Sequence, residues 1–236
     1  MMLRFSSLPE SPVVQHEPTD KPGLSRREVL LGAVALAASG FSPPSAAKEH
    51  VSETKVRFDA RLIYAAVNDE PFPISAVDLK KLSPTFYRQL VDYETSELPG
   101  TVIVDTHNRV LYLTQEGGKA LRYGIGVGRE GFSWSGRGEI LLKKAWPTWT
   151  PPSEMIKRQP ELEPYRNGMP PGPDNPLGAR ALYIYRDGID TLYRLHGNGD
   201  VTSIGRAVSS GCIRLLQQDI IDLYERVPEH TPIVVA

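Results

Sequence analysis

The sequence predicts a mainly β fold with a few short helices, one of which follows directly on a cysteine-bearing turn. Three observations predict it. From Gly100 onward the apolar residues recur with a period of two or in short runs, as strands require. Glycine (20) and proline (21) are abundant but not periodic, so the runs are spaced by turns and ordered loops. Only one later stretch, Gln217 to Val227, carries the three-and-four spacing of an amphipathic helix, through Ile220, Leu223, Tyr224 and Val227, and Pro228 stops it.

Residues 1–47 are set apart from the fold. Ser25-Arg26-Arg27-Glu28-Val29-Leu30-Leu31 precedes the apolar stretch Gly32 to Ala38 and then the small residues that end at Ala46-Ala47. Charged, apolar and small residues in that order make an export signal with cleavage after Ala47, and the paired arginines resemble a twin-arginine signal. The apolar stretch is shorter than the roughly 20 residues a membrane span needs. No cysteine follows it to carry a lipid.

Residues 48–97 read as an N-terminal extension with short helices. Ser75 offers an N-cap before Ala76 to Leu82, and Ser83-Pro84 repeats the signal before Phe86, Tyr87, Leu90 and Val91. Residues 98–236 form the main domain. Its strands are Thr101 to Val104, Arg109 to Thr114, Ala120 to Val127, Glu139 to Lys144, Ala181 to Tyr185, Thr191 to Leu195 and Pro232 to Val235. Asp105 to Asn108 joins the first two, and Asp187-Gly188 marks a tight hairpin. Between Trp146 and Asn175 the prolines are too dense for regular structure, and a loop of that length in a compact domain is a functional wall or lid.

Composition excludes some functions. The 27 Lys and Arg nearly balance 28 Asp and Glu, whereas binding nucleic acid calls for a net basic face. Gly126-Val127-Gly128-Arg129-Glu130-Gly131 has the spacing of a dinucleotide-binding turn, but Phe132-Ser133-Trp134-Ser135-Gly136 cannot open the helix that motif requires. One cysteine and scattered histidines make a poor zinc set.

The single cysteine is the chemical lead. In an exported chain Cys212 has no second cysteine to bond, and it sits in Val208-Ser209-Ser210-Gly211-Cys212-Ile213-Arg214-Leu215. A thiol becomes a nucleophile as the thiolate, which needs a base and a cationic environment. His107 and His230 fall in turns, whereas His196 ends a strand and opens into Gly197-Asn198-Gly199. His196 is therefore the candidate base. The turn through Ser210, Gly211 and Cys212 can aim backbone N–H groups at an oxyanion, each typically worth roughly 3 kcal/mol of barrier. Arg214, two residues beyond Cys212, shares its face if the backbone is extended.

His196-Gly197, the spacer with Ser203-Ile204-Gly205, and Ser209-Ser210-Gly211-Cys212-Ile213-Arg214-Leu215 together resemble the signature of the L,D-transpeptidase catalytic domain (YkuD-type). Asn175 to Tyr183, Pro99 to Val104, and Trp146-Pro147-Thr148-Trp149 with Pro151-Pro152 are similar to its exported proteobacterial branch. The resemblance implies a sandwich- or barrel-like β domain in the periplasm that remodels peptidoglycan. It implies Cys212 as nucleophile, His196 as general base and acid, and Ser210, Gly211 and Cys212 as oxyanion turn. The carbonyl of Gly197, in preference to Asp200, orients the histidine. Ser209 and Arg214 support the motif or the substrate, and Tyr183 and Trp146 line a groove for the stem peptide. Many members carry a histidine where this chain has Ser210, so a second imidazole near the thiol is missing. The implied reaction passes an acyl group from a tetrapeptide stem through a thioester to an amine. That amine belongs to another stem or to a protein, such as one of the outer membrane, and no cofactor or metal is needed. An L,D-carboxypeptidase, with water as acceptor, or a silent peptidoglycan-binding protein are the alternatives.

Overall fold

The computed structural model describes residues 56–128, 135–209 and 211–236; the expected leader lies outside them. In chain order the elements are β1 (Val56–Arg57), α1 (Ala60–Ile63), β2 (Gln89–Asp92), β3 (Val102–Asp105), β4 (Val110–Gln115), β5 (Lys119–Gly124) and β6 (Val127–Gly128). There follow β7 (Gly136–Ala145), α2 (Ser153–Arg158), β8 (Arg180–Arg186), β9 (Ile189–Asn198), β10 (Ala207–Ser209), β11 (Ile213–Leu216), α3 (Gln217–Arg226) and β12 (Thr231–Val235).

Ten strands form one mixed sheet in the order β1-β2-β5-β4-β3-β12-β7-β8-β9-β11, and β6 pairs with β10 apart from it. The sheet encloses the main core, and a smaller second cluster lies beside it. Val104, Leu111 and Leu121 of its first half share that core with Leu182, Leu195 and Leu215 of the second, and with Ile220 and Leu223 of α3. Each such side chain contributes roughly 1.5–3 kcal/mol by leaving water. The alternation along β8 and β9 turns Leu182, Ile184 and Leu195 inward. Asp187 (φ 52) and Gly188 (φ 75) close the β8–β9 hairpin in the left-handed conformation that a two-residue turn demands.

All seven strands expected from periodicity are present, as is the helix after the cysteine turn. Three expectations fail. Residues 76–82 are not helical, and of the helix expected after Ser83 only a 3-10 turn, Pro84–Phe86, forms. The Asp78 side chain accepts the Lys80 amide at 3.1 Å, a local bond that competes with a helix. Leu90 and Val91 are drawn into β2, where they pair with Leu121 and Ala120 of β5. Conversely, the proline-dense stretch holds α2 and a 3-10 helix, Pro160–Tyr165. Two of its prolines fit because Pro152 occupies the N-cap position of α2 and Pro160 opens the second helix, where an N–H has no intrahelical partner; Pro164 lies inside that helix.

Residues 56–97 are part of the same packing. β1 and β2 extend the sheet, and Tyr64 and Leu82 bury themselves against Ile204 and Leu216. A buried polar cluster ties this segment to α3. The Tyr64 hydroxyl donates to Asp219 at 3.1 Å, and Arg88 lies 3.6 Å from Asp219 and 2.7 Å from Asp222.

Candidate active site

The site is built on the parallel pairing of β11 with β9, which sets Arg214 beside His196 and Ile213 beside Leu195. Parallel neighbours need a crossover, and the chain makes it through a 3-10 turn, Val201–Ser203, and β10. That crossover is why two residues far apart in sequence meet. Leu195, Ile213 and Leu215 face the core, so His196 and Arg214 face the other way, as does Arg194 two residues back along β9; Cys212 comes just before β11, where the Arg194 backbone donates a hydrogen bond to it and the Arg194 and Arg214 charges reach it. On β8, Ala181 and Tyr183 pair with His196 and Arg194 and complete that face.

His196 is almost wholly buried. Its Nδ1 lies 2.9 Å from the Gly197 carbonyl oxygen, which accepts the ring proton and leaves Nε2 as the proton acceptor. Burial holds its pKa down to about 4; the Gly197 carbonyl opposes that drop, the Arg214 charge adds to it, and the Pro176 carbonyl again opposes it. Asp200 takes no part in orienting the ring; it caps the crossover turn by accepting from Thr202. Gly197 has a second role. A Cβ there would lie 2.2 Å from Gln217 Oε1, the atom that accepts the Ala179 amide at 2.9 Å, so the glycine lets the start of α3 dock behind the histidine.

Cys212 is half-buried at the entry to β11. Burial pushes its thiol up, against the pull of the Arg194 charge, a backbone hydrogen bond from Arg194, and the Arg214 charge. At neutral pH the site therefore holds a neutral imidazole and a thiol. Gly211 adopts φ 136, open only to glycine, and a Cβ on it would meet nothing within 4 Å.

Arg214 is held by its backbone: its N–H donates to the Gly126 carbonyl at 2.8 Å and its carbonyl accepts from the Gly126 N–H at 2.9 Å. A Cβ on Gly126 would fall 2.5 Å from the Ser203 carbonyl oxygen. Gly126→Ala is thus expected to destabilise the fold by about 1–3 kcal/mol, measured by denaturant unfolding, and to slow alkylation of Cys212 by shifting Arg214. An unchanged midpoint of unfolding counts against this contact.

Tyr183 lies on the site face with the Arg194 guanidinium 4.4 Å above its ring. Trp146 is placed elsewhere. Its Nε1 donates to Glu70 at 2.7 Å, the carboxylate that also pairs with Arg180. Arg180 alternates with Ala181 and so lies on the opposite face of β8, which removes Trp146 from the groove expected of it. Ser209 pairs through its backbone with Gly128, and Ser210 lies outside the described residues. Arg194 was missed in the sequence, although its spacing of two from His196 on a strand is a signal that would find it. Among the described residues no group of His, Cys, Asp and Glu could hold a metal ion.

Residues 99–235 match the YkuD family, described as the L,D-transpeptidase catalytic domain. Probable L,D-transpeptidase YbiS of Escherichia coli K12 is 38% identical over 137 residues, 56% of this chain and 42% of that protein. Probable L,D-transpeptidase ErfK/SrfK of the same strain is 35% identical, over 56% of this chain and 42% of that protein. The match thus spans less than half the length of these relatives. A Brucella melitensis crystal structure described as a probable carnitine operon oxidoreductase is 41% identical, covering 64% of this chain and 94% of that one with a TM-score of 0.47. No reading of function follows from an overlay at that score.

Proposed function

The chain belongs to the YkuD family of L,D-transpeptidase catalytic domains, and on that premise we propose that it is a peptidoglycan L,D-transpeptidase with Cys212 as its nucleophile. The observation that carries this reading is the β9–β11 pairing, which sets an oriented neutral imidazole beside the strand that Cys212 leads into. His196 Nε2 takes the thiol proton as Sγ attacks the carbonyl carbon of the diamino acid's L-centre. The oxyanion turn holds the developing charge, and the imidazolium returns its proton to the departing amine of D-alanine. A thioester remains. An incoming amine then attacks it, loses its proton to His196, and releases the thiol.

Arg194, Arg214 and Lys144 make the surroundings of Tyr183 and Cys212 positive, which suits the carboxylates of a stem peptide. The acceptor is a second stem amine or a protein amine, including one on an outer-membrane protein. The leader over residues 1–47 supports export to the periplasm. A carbapenem, whose strained amide mimics the scissile bond, is expected to add its whole mass to Cys212 and to leave Cys212→Ala unmodified. Incubation with disaccharide-tetrapeptides, read by mass, separates the outcomes. Crosslinked dimers support transpeptidation, tripeptide alone means carboxypeptidase activity, and no product with an unmodified thiol sinks the enzyme reading.

A further inference from the structure

β9 carries an irregularity that neither its pairing nor its packing requires. Between the pairs Tyr183–Arg194 and Tyr185–Asp190, β8 contributes one residue and β9 three, so β9 bulges. At the middle of the bulge Leu192 sits at φ 65 with its side chain 75% exposed. A bulky residue in that conformation costs about 1 kcal/mol or more, and no burial of Leu192 offsets it.

What the bulge achieves is local. Four residues along a regular strand span about 13 Å, too far for a direct two-point contact. Here Arg194 Nη1 and Nη2 each lie 2.7 Å from an oxygen of Asp190. The same carboxylate accepts the Leu192 amide at 2.8 Å, and Thr191 Oγ1 donates to the Ile184 carbonyl at 2.6 Å, so the bulge is closed from both sides. The guanidinium is thereby fixed over the Tyr183 ring, and the backbone of the same residue donates a hydrogen bond to Cys212, whose thiol feels the guanidinium's charge. An arginine held at two oxygens and against a ring has lost the freedom that lets most surface charges swing into water.

We propose that the 190–194 bulge is a clamp that holds Arg194 beside Cys212, making Arg194 the positioning residue that sets the thiol's ionisation and reactivity. The proposal rests on Cys212 being the nucleophile. The other titratable and charged groups that act on this face, among the described residues, are Lys144 on β7, Tyr183 and Tyr185 on β8, Asp190 and His196 on β9, and Arg214 just beyond the cysteine, with Asp200 acting on Arg214.

The test is the pH dependence of Cys212 alkylation by iodoacetamide in the full chain, read by mass. Arg194→Gln is expected to raise the midpoint by about one pH unit and to slow alkylation at pH 7 about tenfold. Arg194→Lys, which keeps the charge but not the fork, is expected to fall between. Asp190→Asn decides between position and bare charge. Removing a nearby negative charge by itself lowers the midpoint, whereas releasing Arg194 from its clamp raises it, and the proposal requires the rise. A lowered or unmoved midpoint in Asp190→Asn overturns it, and that variant decides the matter even if Arg194→Gln does not fold. Failure of the acyl-transfer reading is separable. Shifted alkylation without an acyl-enzyme from tetrapeptide or carbapenem removes that reading alone, and an acyl-enzyme with unshifted profiles removes the clamp alone.

Discussion

Cys212→Ala is expected to abolish acyl transfer, and His196→Gln to lower it by about three orders of magnitude or more, with the double variant no worse than the cysteine variant alone. The non-additivity follows from the chemistry, because a base has no task once the nucleophile is gone. Cys212 is half-buried and alanine leaves its backbone free, so the folded state survives. His196 is the more exacting position. It is 4% exposed and wedged between Ala181 and Arg214, and glutamine loses the ring bond to the Gly197 carbonyl. The measurement is crosslinked product per enzyme, with thermal unfolding of each variant alongside. A pH profile adds a second check. With His196 held down to about 4, the acid limb of kcat/KM is expected near pH 4 instead of near the ordinary 6.5, since the neutral base persists until then. Retained transfer in Cys212→Ala would defeat the assignment.

The second large effect is on stability, and it comes from a residue away from the chemistry. Asp219 is fully buried in the first turn of α3, and burial pushes its carboxyl up to about 7, against the pull of Arg88. A raised carboxyl binds its proton more tightly in the folded state than in the unfolded one. Its contribution is therefore complete below the ordinary carboxyl range and is lost as pH rises to about 7, a loss of about 4 kcal/mol. His196 has the opposite sign. Its depressed pKa makes the unfolded state the better proton acceptor between about 4 and 6.5, so folding gains about 3 kcal/mol as pH rises through that window.

The two slopes nearly cancel in the parent chain. Asp219→Asn is expected to expose the histidine's slope, with stability rising by about 3 kcal/mol from pH 4 to 6.5, and His196→Gln to expose the falling one. Urea unfolding at pH 4.5, 6.5 and 8 reads both directly. Parallel curves for parent and Asp219→Asn across this range would show that Arg88 and Tyr64 keep Asp219 ionised in the fold, contrary to the expectation.

The parts of this protein that were legible in its sequence share a property: they depend on residues close together along the chain. Strands such as β4 and β8 announce themselves by alternation, α3 by its apolar stripe and Pro228, and the β8–β9 turn by Asp187-Gly188. Cys212 and His196 stood out as residue types in a glycine setting. What was not legible depends on partners. β1 and β10, two and three residues long, are too short to carry a periodic signal, and like β2 and β11 they exist because a neighbouring strand supplies their hydrogen bonds. Leu90 and Val91 satisfied a helical spacing and a strand equally, and pairing with β5 decided between them.

The same division runs through the site. By itself the sequence picked out the candidate reactive atoms, since one thiol, one strand-end imidazole and a glycine turn are matters of composition and local spacing. Only the tertiary structure set that imidazole beside the strand that Cys212 leads into, through the β9–β11 crossover. It also sent Trp146 to Glu70 on the far face and brought Arg194 to the sulfur through a bulge closed by Asp190. The physical reason is that short-range order follows from backbone preference and side-chain period. The field at a buried sulfur, by contrast, is summed over every charge the fold gathers around it, and no single segment contains them all.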